Sequence, residues 1–109
     1  MDIQNEKKGE FMVVHINGRV DTTNYTEFEK QISTVIDGGE TNIILNCDNL
    51  NYISSSGLRV FLITQKRLMA AKGKLHLCKM QPSIKEIFDI SGFSTIFKIF
   101  ESEEAALAG

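Results

Sequence analysis

The chain has 109 residues, a length suited to one domain spanning 1–109, and 42% apolar with 24% charged residues is the mix of an ordinary globular protein. The net charge is −2, with twelve Lys and Arg scattered among fourteen acids, so the basic stripe that neutralises phosphates is missing, which argues against direct nucleic-acid binding. No apolar run approaches the roughly 18 residues that cross a bilayer. The opening residues MDIQNEKKGEF carry no signal-peptide apolar stretch, so the expected location is the cytoplasm, away from membranes.

In chain order, a short strand over Ile3–Lys7 is expected to turn at Gly9 and pair with Phe11–Ile16, a Val- and Ile-rich strand that Gly18 ends. Asp21-Thr22-Thr23-Asn24 is a cluster of helix-start residues. Tyr25, Phe28, Ile32, Val35 and Ile36 then recur on one helical face, stopped by Gly38-Gly39. Asn42–Cys47 reads as a buried central strand. A polar stretch, Asp48–Ser56, leads into a helix whose core stripe is Leu58, Phe61, Leu62, Gln65, Leu68 and Met69, with Gly73 at its carboxyl cap. Lys74–Cys78 is the next strand. Ser83 and Glu86 have the spacing of a capping box, with Ile84, Ile87 and Phe88 facing inward and Gly92 closing the helix. Ile96–Phe100 is a last strand, and Ser102-Glu103-Glu104 starts a terminal helix with acids in its first turn.

The order β-β-α-β-α-β-α-β-α calls for an α/β fold: a mixed sheet of four or five strands with about four helices packed against it. Cys47 and Cys78 lie in apolar strand segments and read as buried, reduced thiols. His15 and His76 sit inside strands, where structural roles outweigh catalytic ones. Metal-ligand spacings, phosphate loops and a nucleophile elbow are all lacking. The chain therefore reads as a non-enzyme without cofactor or metal, expected to turn over neither ATP nor GTP.

The one concentrated polar feature is Tyr52-Ile53-Ser54-Ser55-Ser56-Gly57-Leu58, three serines ending a strand-to-helix loop. One of them suffices as a helix cap, and the end of a parallel strand is also where α/β sheets place their sites. This loop resembles the signature of STAS-domain anti-sigma factor antagonists, which often reads D-S-S-G-L. Gly18-Arg19-Val20-Asp21 is similar to that family's G-x-[LV]-D turn, and Phe88-Asp89-Ile90-Ser91-Gly92-Phe93 resembles its F-x-x-[ST]-G helix end. The likeness runs over about residues 3–107 with the three motifs in order.

The resemblance implies a binding module switched by phosphorylation of Ser55, the serine two places before Gly57-Leu58. The unphosphorylated form would bind an anti-sigma factor that is also a serine-protein kinase and so release a sigma factor, and a PP2C-type phosphatase would restore it. Where the motif commonly has Asp, Ser54 stands, which keeps Ser54 and Ser56 as alternative hydroxyls. The implied partner surface comprises Asp21, Asn24, Ser54, Ser55, Ser56, Gly57 and Ser91 on a domain that is monomeric when free. Asp21 either positions the serine or meets the partner, or else caps the following helix. Two other readings stay open: a STAS regulator of another partner-switching pathway, in stress or secretion, and, further behind, a nucleotide-binding module.

Overall fold

The computed structural model describes residues 1–109. Strands β1 (Asp2–Lys8) and β2 (Phe11–Val20) form an antiparallel hairpin through Gly9. Helix α1 (Tyr25–Asp37) follows, then β3 (Asn42–Asn46), β4 (Leu50–Ile53) and α2 (Ser55–Ala70). Strand β5 (Lys74–Cys78), α3 (Pro82–Ile90), a 3₁₀ turn at Phe93–Thr95, β6 (Lys98–Phe100) and α4 (Glu103–Ala108) complete the chain. The strands lie in the order β1-β2-β3-β5-β6, with β4 also paired to β2, and every pairing but the first hairpin is parallel. No helix is long and apolar enough to cross a membrane.

Strand side chains alternate between two faces, as the period of 2 requires. Val14, Ile16, Ile43, Leu45, Leu75 and Leu77 point to one face, where they meet Phe28 and Ile32 of α1, Phe61 and Leu68 of α2, and Ile84 and Phe88 of α3. Phe61 lies at the centre, its ring 5.8 Å from Phe28 and 5.7 Å from Phe88. The intervening residues Phe11, Val13, Ile44 and Cys78 point to the other face, which α4 covers through Ala106. His76 belongs to this second face, between the rings of Phe11 and Phe100, its Nδ1 2.8 Å from the Ala106 carbonyl oxygen. Glu103 anchors α4 to the strands through Lys8 and the Asn46 amide.

The mixed α/β architecture with four helices matches the sequence reading, and the differences from it are local. Strand β2 runs through Gly18 to Val20, because an irregularity between Gly18 and Arg19 shifts its register and lets its last residues pair with β4. Strand β4 itself, in the stretch read as a loop, adds a sixth strand; it buries Leu50 and Ile53 at its ends and exposes Asn51 and Tyr52 between them. On α2 the buried face is Gly57, Val60, Phe61, Thr64 and Leu68, and Met69 is 65% exposed. Met69 therefore lies off the inward stripe, and Thr64 tolerates burial within it because its hydroxyl donates to the Val60 carbonyl.

The α2 terminus also differs. Lys72, with φ of 59°, takes the left-handed position, and the Gly73 amide donates to the Leu68 carbonyl. Gly73 is required for a different reason: a Cβ there would lie 1.8 Å from the Thr41 carbonyl oxygen. At α3 the N-cap is Gln81, whose side chain donates to the Asp48 carbonyl rather than capping the helix, and Ser83 falls inside the first turn. Pro82 begins that helix, needing no amide partner and carrying a helical φ already, so the capping-box spacing is not used. Strand β6 is shorter than expected because Phe93–Thr95 winds into the 3₁₀ turn.

Cys47 and Cys78 are free and buried, and they belong to the cores on opposite faces of the sheet. Burial raises both thiol pKa values, that of Cys78 to about 12. Native protein should therefore label slowly with a thiol reagent, and unfolded protein should show two fast-reacting thiols. Rapid labelling of both in the native state would contradict this packing.

Candidate functional site

The site forms where β2 and β4 end side by side. The Ser54 amide donates to the Val20 carbonyl at 2.9 Å, holding the end of β4 to the end of β2. Ser54 is still extended (φ −87°, ψ 171°) and is the N-cap of α2, its hydroxyl oxygen accepting from the Gly57 amide at 3.2 Å. Gly57 presses against the strand ends: a Cβ at this position would lie 2.8 Å from Ile53 Cγ1 and 2.9 Å from Val20 Cγ1. The chain thus enters a helix within one residue of leaving a strand, with the helix seated directly on the core.

Ser55 is the first residue of α2, and it is exposed. Ser56 follows, half-buried. The Ser54 hydroxyl is engaged in capping, whereas those of Ser55 and Ser56 make no hydrogen bond within the chain. Beside them is a small cavity of about 130 Å³ lined by Tyr25, Ser55, Ser56 and Arg59.

The turn from β2 to α1 lies one residue beyond Val20. Asp21 Oδ1 accepts from both the amide and the hydroxyl of Thr23, at 2.9 and 2.6 Å, and Arg19 Nε donates to Oδ2 at 3.1 Å. These bonds stabilise the carboxylate, the Thr23 hydroxyl most of all, and hold its pKa at about 2. The Arg19 guanidinium also lies 4.6 Å from the ring centroid of Tyr52 on β4. Asn24 is the N-cap of α1, yet its side chain serves the turn, accepting from the Asp21 amide and donating to the Arg19 carbonyl, each at 2.9 Å.

Of the residues singled out from the sequence, Ser54, Ser55, Ser56 and Gly57 are consecutive around the start of α2, and the Asp21–Asn24 turn adjoins them through the Val20–Ser54 bond. Asp21 caps its own turn rather than α1, and it makes no hydrogen bond to a serine. Ser91 is the C-cap of α3, its hydroxyl donating to the Phe88 carbonyl at 3.2 Å, with no bond to the serine loop. Tyr25 and Arg59 were not anticipated at the site. Arg59, four places after Ser55, shares its helix face; Tyr25, on the apolar face of α1 with Phe28 and Ile32, packs against the core and also walls the cavity. The histidines lie elsewhere: His15 Nε2 is 3.9 Å from Glu103, and burial lowers the pKa of His76 under α4. No group of three or more His, Cys, Asp or Glu is placed to hold a metal ion.

A mixed sheet with helices gathered mainly on one face, and a serine-rich turn seated at the ends of two parallel strands, defines a known class. The chain belongs to the STAS domain family, whose model matches residues 2–106. Over 108 residues it is 37% identical to BtrV of Bordetella bronchiseptica, provisionally named an anti-sigma factor antagonist, covering 99% of this chain and 93% of that one. The Bacillus cell fate determinant SpoIIAA, solved in its phosphorylated form, superposes with a TM-score of 0.76 at 28% identity, covering 98% of this chain and 97% of that one. The protein TM1081 of Thermotoga maritima shares the fold with a TM-score of 0.93 at 17% identity, over 97% of this chain and 92% of that one.

The serines have separable structural roles. Replacing the capping hydroxyl, Ser54→Ala, should cost about 1 kcal/mol of stability, while Ser55→Ala should stay within roughly 0.5 kcal/mol of the parent; denaturant unfolding of both variants measures the difference. The Asp21 carboxyl should titrate near 2 by NMR, below the ordinary 3.8. Removing its first partner in Thr23→Val should raise that midpoint. Because the folded value is the depressed one, the contribution of Asp21 to stability is present above about pH 4 and disappears as pH falls through its folded pKa.

Proposed function

We propose that this protein is an anti-sigma factor antagonist whose partner binding is switched off by phosphorylation of Ser55. The observation that carries this reading is the division among the three serines. Ser54 spends its hydroxyl on the helix cap, and Ser55 offers an exposed hydroxyl without a partner on the next residue. The names of the BtrV and SpoIIAA relatives, and the phosphorylated state of the latter, support it. The unphosphorylated domain binds an anti-sigma factor that doubles as a serine kinase and thereby frees a sigma factor. A PP2C-type phosphatase returns the phosphorylated form to the binding state. The partner meets the surface of Ser54, Ser55, Ser56 and Gly57 together with the Asp21–Asn24 turn. The protein contributes no catalytic group; its chemistry is to accept a phosphoryl group on a hydroxyl.

Electrostatics explains why such a mark controls binding without unfolding the domain. A phosphate carries about −1.5 to −2 charges, and the first turn of a helix favours an anion by roughly 0.3–1 kcal/mol. The fold therefore tolerates it. At an interface the same charge must lose its water, and an unpaired buried charge costs on the order of 3–5 kcal/mol. At about 1.4 kcal/mol per decade, this amounts to roughly two to three and a half decades of affinity.

Accordingly, Ser55→Asp should melt close to the parent protein and bind the anti-sigma factor far more weakly, as read by calorimetry. Ser55→Ala should fold, bind, and resist the kinase. Mass spectrometry that placed the phosphate on Ser54 or Ser56 would reassign the residue, and full-strength binding by Ser55→Asp would overturn the mechanism.

A further inference from the structure

Resting on the reading of Ser55 as the modified residue, we propose that Arg59 is the receptor for its phosphate, drawing it into the small cavity against Tyr25. The chain has three arginines. Arg19 is paired with Asp21, and Arg67 with Asp37 and the Ser33 hydroxyl. Arg59 alone makes neither an ion pair nor a hydrogen bond, and it is exposed. It stands four residues after Ser55 on the same helix, the separation at which side chains on a helix surface meet. Both line the same cavity of about 130 Å³, with Tyr25 from α1 and Ser56 as its other walls.

The chemistry of the four lining residues suits a phosphate attached to one of them. Arg59 is the only charged member, so no carboxylate in the lining opposes an incoming anion. A guanidinium presents a planar fork that binds two phosphate oxygens at once. The Ser56 hydroxyl, without a partner of its own, is a further donor in the same wall. The cavity is roomy enough for the phosphate to lie between the two helices rather than project into solvent, since about 130 Å³ exceeds the share of several water molecules in the liquid, roughly 30 Å³ each. Modification thereby does two things to the surface: it adds negative charge, and it immobilises the one arginine that was free. An anti-sigma factor that approaches the unmodified protein meets an exposed, unpaired cation at this spot. After modification it meets a filled cavity with net negative charge, because one guanidinium offsets only part of the phosphate's charge of about −1.5 to −2.

The test uses the full chain with phosphoserine installed at position 55 during translation, so that the phosphate is present whether or not a kinase places it there. Phosphorus NMR then follows the second phosphate ionisation, which lies near pH ~6. In the parent, that midpoint should lie about 0.3–0.7 pH unit below its value in Arg59→Gln, the range expected for one exposed ion pair. Arg59→Lys should recover part of the difference, retaining charge without the fork. Arg59 is exposed and unpartnered, so neither substitution removes a packing contact the fold requires. Arg67→Gln, which deletes an arginine paired elsewhere, should leave the midpoint unchanged. Equal midpoints in the parent and Arg59→Gln would overturn the proposal, as would an equal displacement by Arg67→Gln, which would signify net charge alone. Failure of the kinase to modify Ser55 would instead remove the switch reading and leave this titration standing, so the two failures are distinguishable.

Discussion

At the end of β4 the main chain turns from extended to helical within one residue, and the space for that turn exists because position 57 has no side chain. Ile53 and Val20 occupy the volume a Cβ would need, at 2.8 and 2.9 Å. With glycine there, α2 seats directly on the two strand ends, and the Ser54 amide reaches the Val20 carbonyl. Everything at the site follows from this contact. It sets the depth at which α2 enters the core, so Val60 and Phe61 fall inward and Ser55, two residues before Gly57, falls outward. It also brings the Asp21–Asn24 turn alongside, since that turn begins at the same Val20. A larger residue would lift the helix and separate the serines from the turn.

The same seat divides labour among chemically identical side chains. Ser54, Ser55 and Ser56 differ in position by one residue each, yet one caps the helix, one is exposed and one lines a cavity wall. The order is dictated by helix geometry: the cap residue points its oxygen at the amide three places on, and the next residue is turned through about 100° toward solvent. Neighbouring backbone and side-chain bonds keep Asp21 ionised to about pH 2 and tie Arg19 to it. The polar turn is thus a pre-formed surface, and Ser55 shares its small cavity with Ser56, Tyr25 and Arg59.

How much of this was legible beforehand depended on whether the deciding interaction was local. The apolar periodicity of Phe28, Ile32 and Val35 placed α1 correctly, because a helix face is a short-range pattern. Leu75 and Leu77 alternating with His76 and Cys78 placed β5 for the same reason. The serine loop stood out because three hydroxyls before a glycine exceed what capping needs. Strand β4 was hidden: Asn51 and Tyr52 face solvent, and the four residues gain strand geometry only by pairing with a β2 whose register has shifted after Gly18. Ser83 and Glu86 had the spacing of a cap, but Pro82 had already supplied the helix start. Gly73 looked like a helix terminator and proved to be a contact with Thr41, from which it is distant in sequence. Arg59 was passed over because its significance lies in a partner it lacks.

The hairpin that opens the chain has a bearing on how such a molecule exists between encounters. Strand β1 forms one border of the sheet, and most of its residues are exposed, among them Glu6 and Lys7, with Lys8 drawn to Glu103. The opposite border, β6, is three residues long. Exposed polar and charged side chains along one margin and brevity at the other leave little flat, apolar backbone on which a further strand could grow. Both edges of the sheet are therefore poor templates for a further strand. The margins of the sheet thus contribute charge and brevity, whereas the serine turn lies where β2 and β4 end.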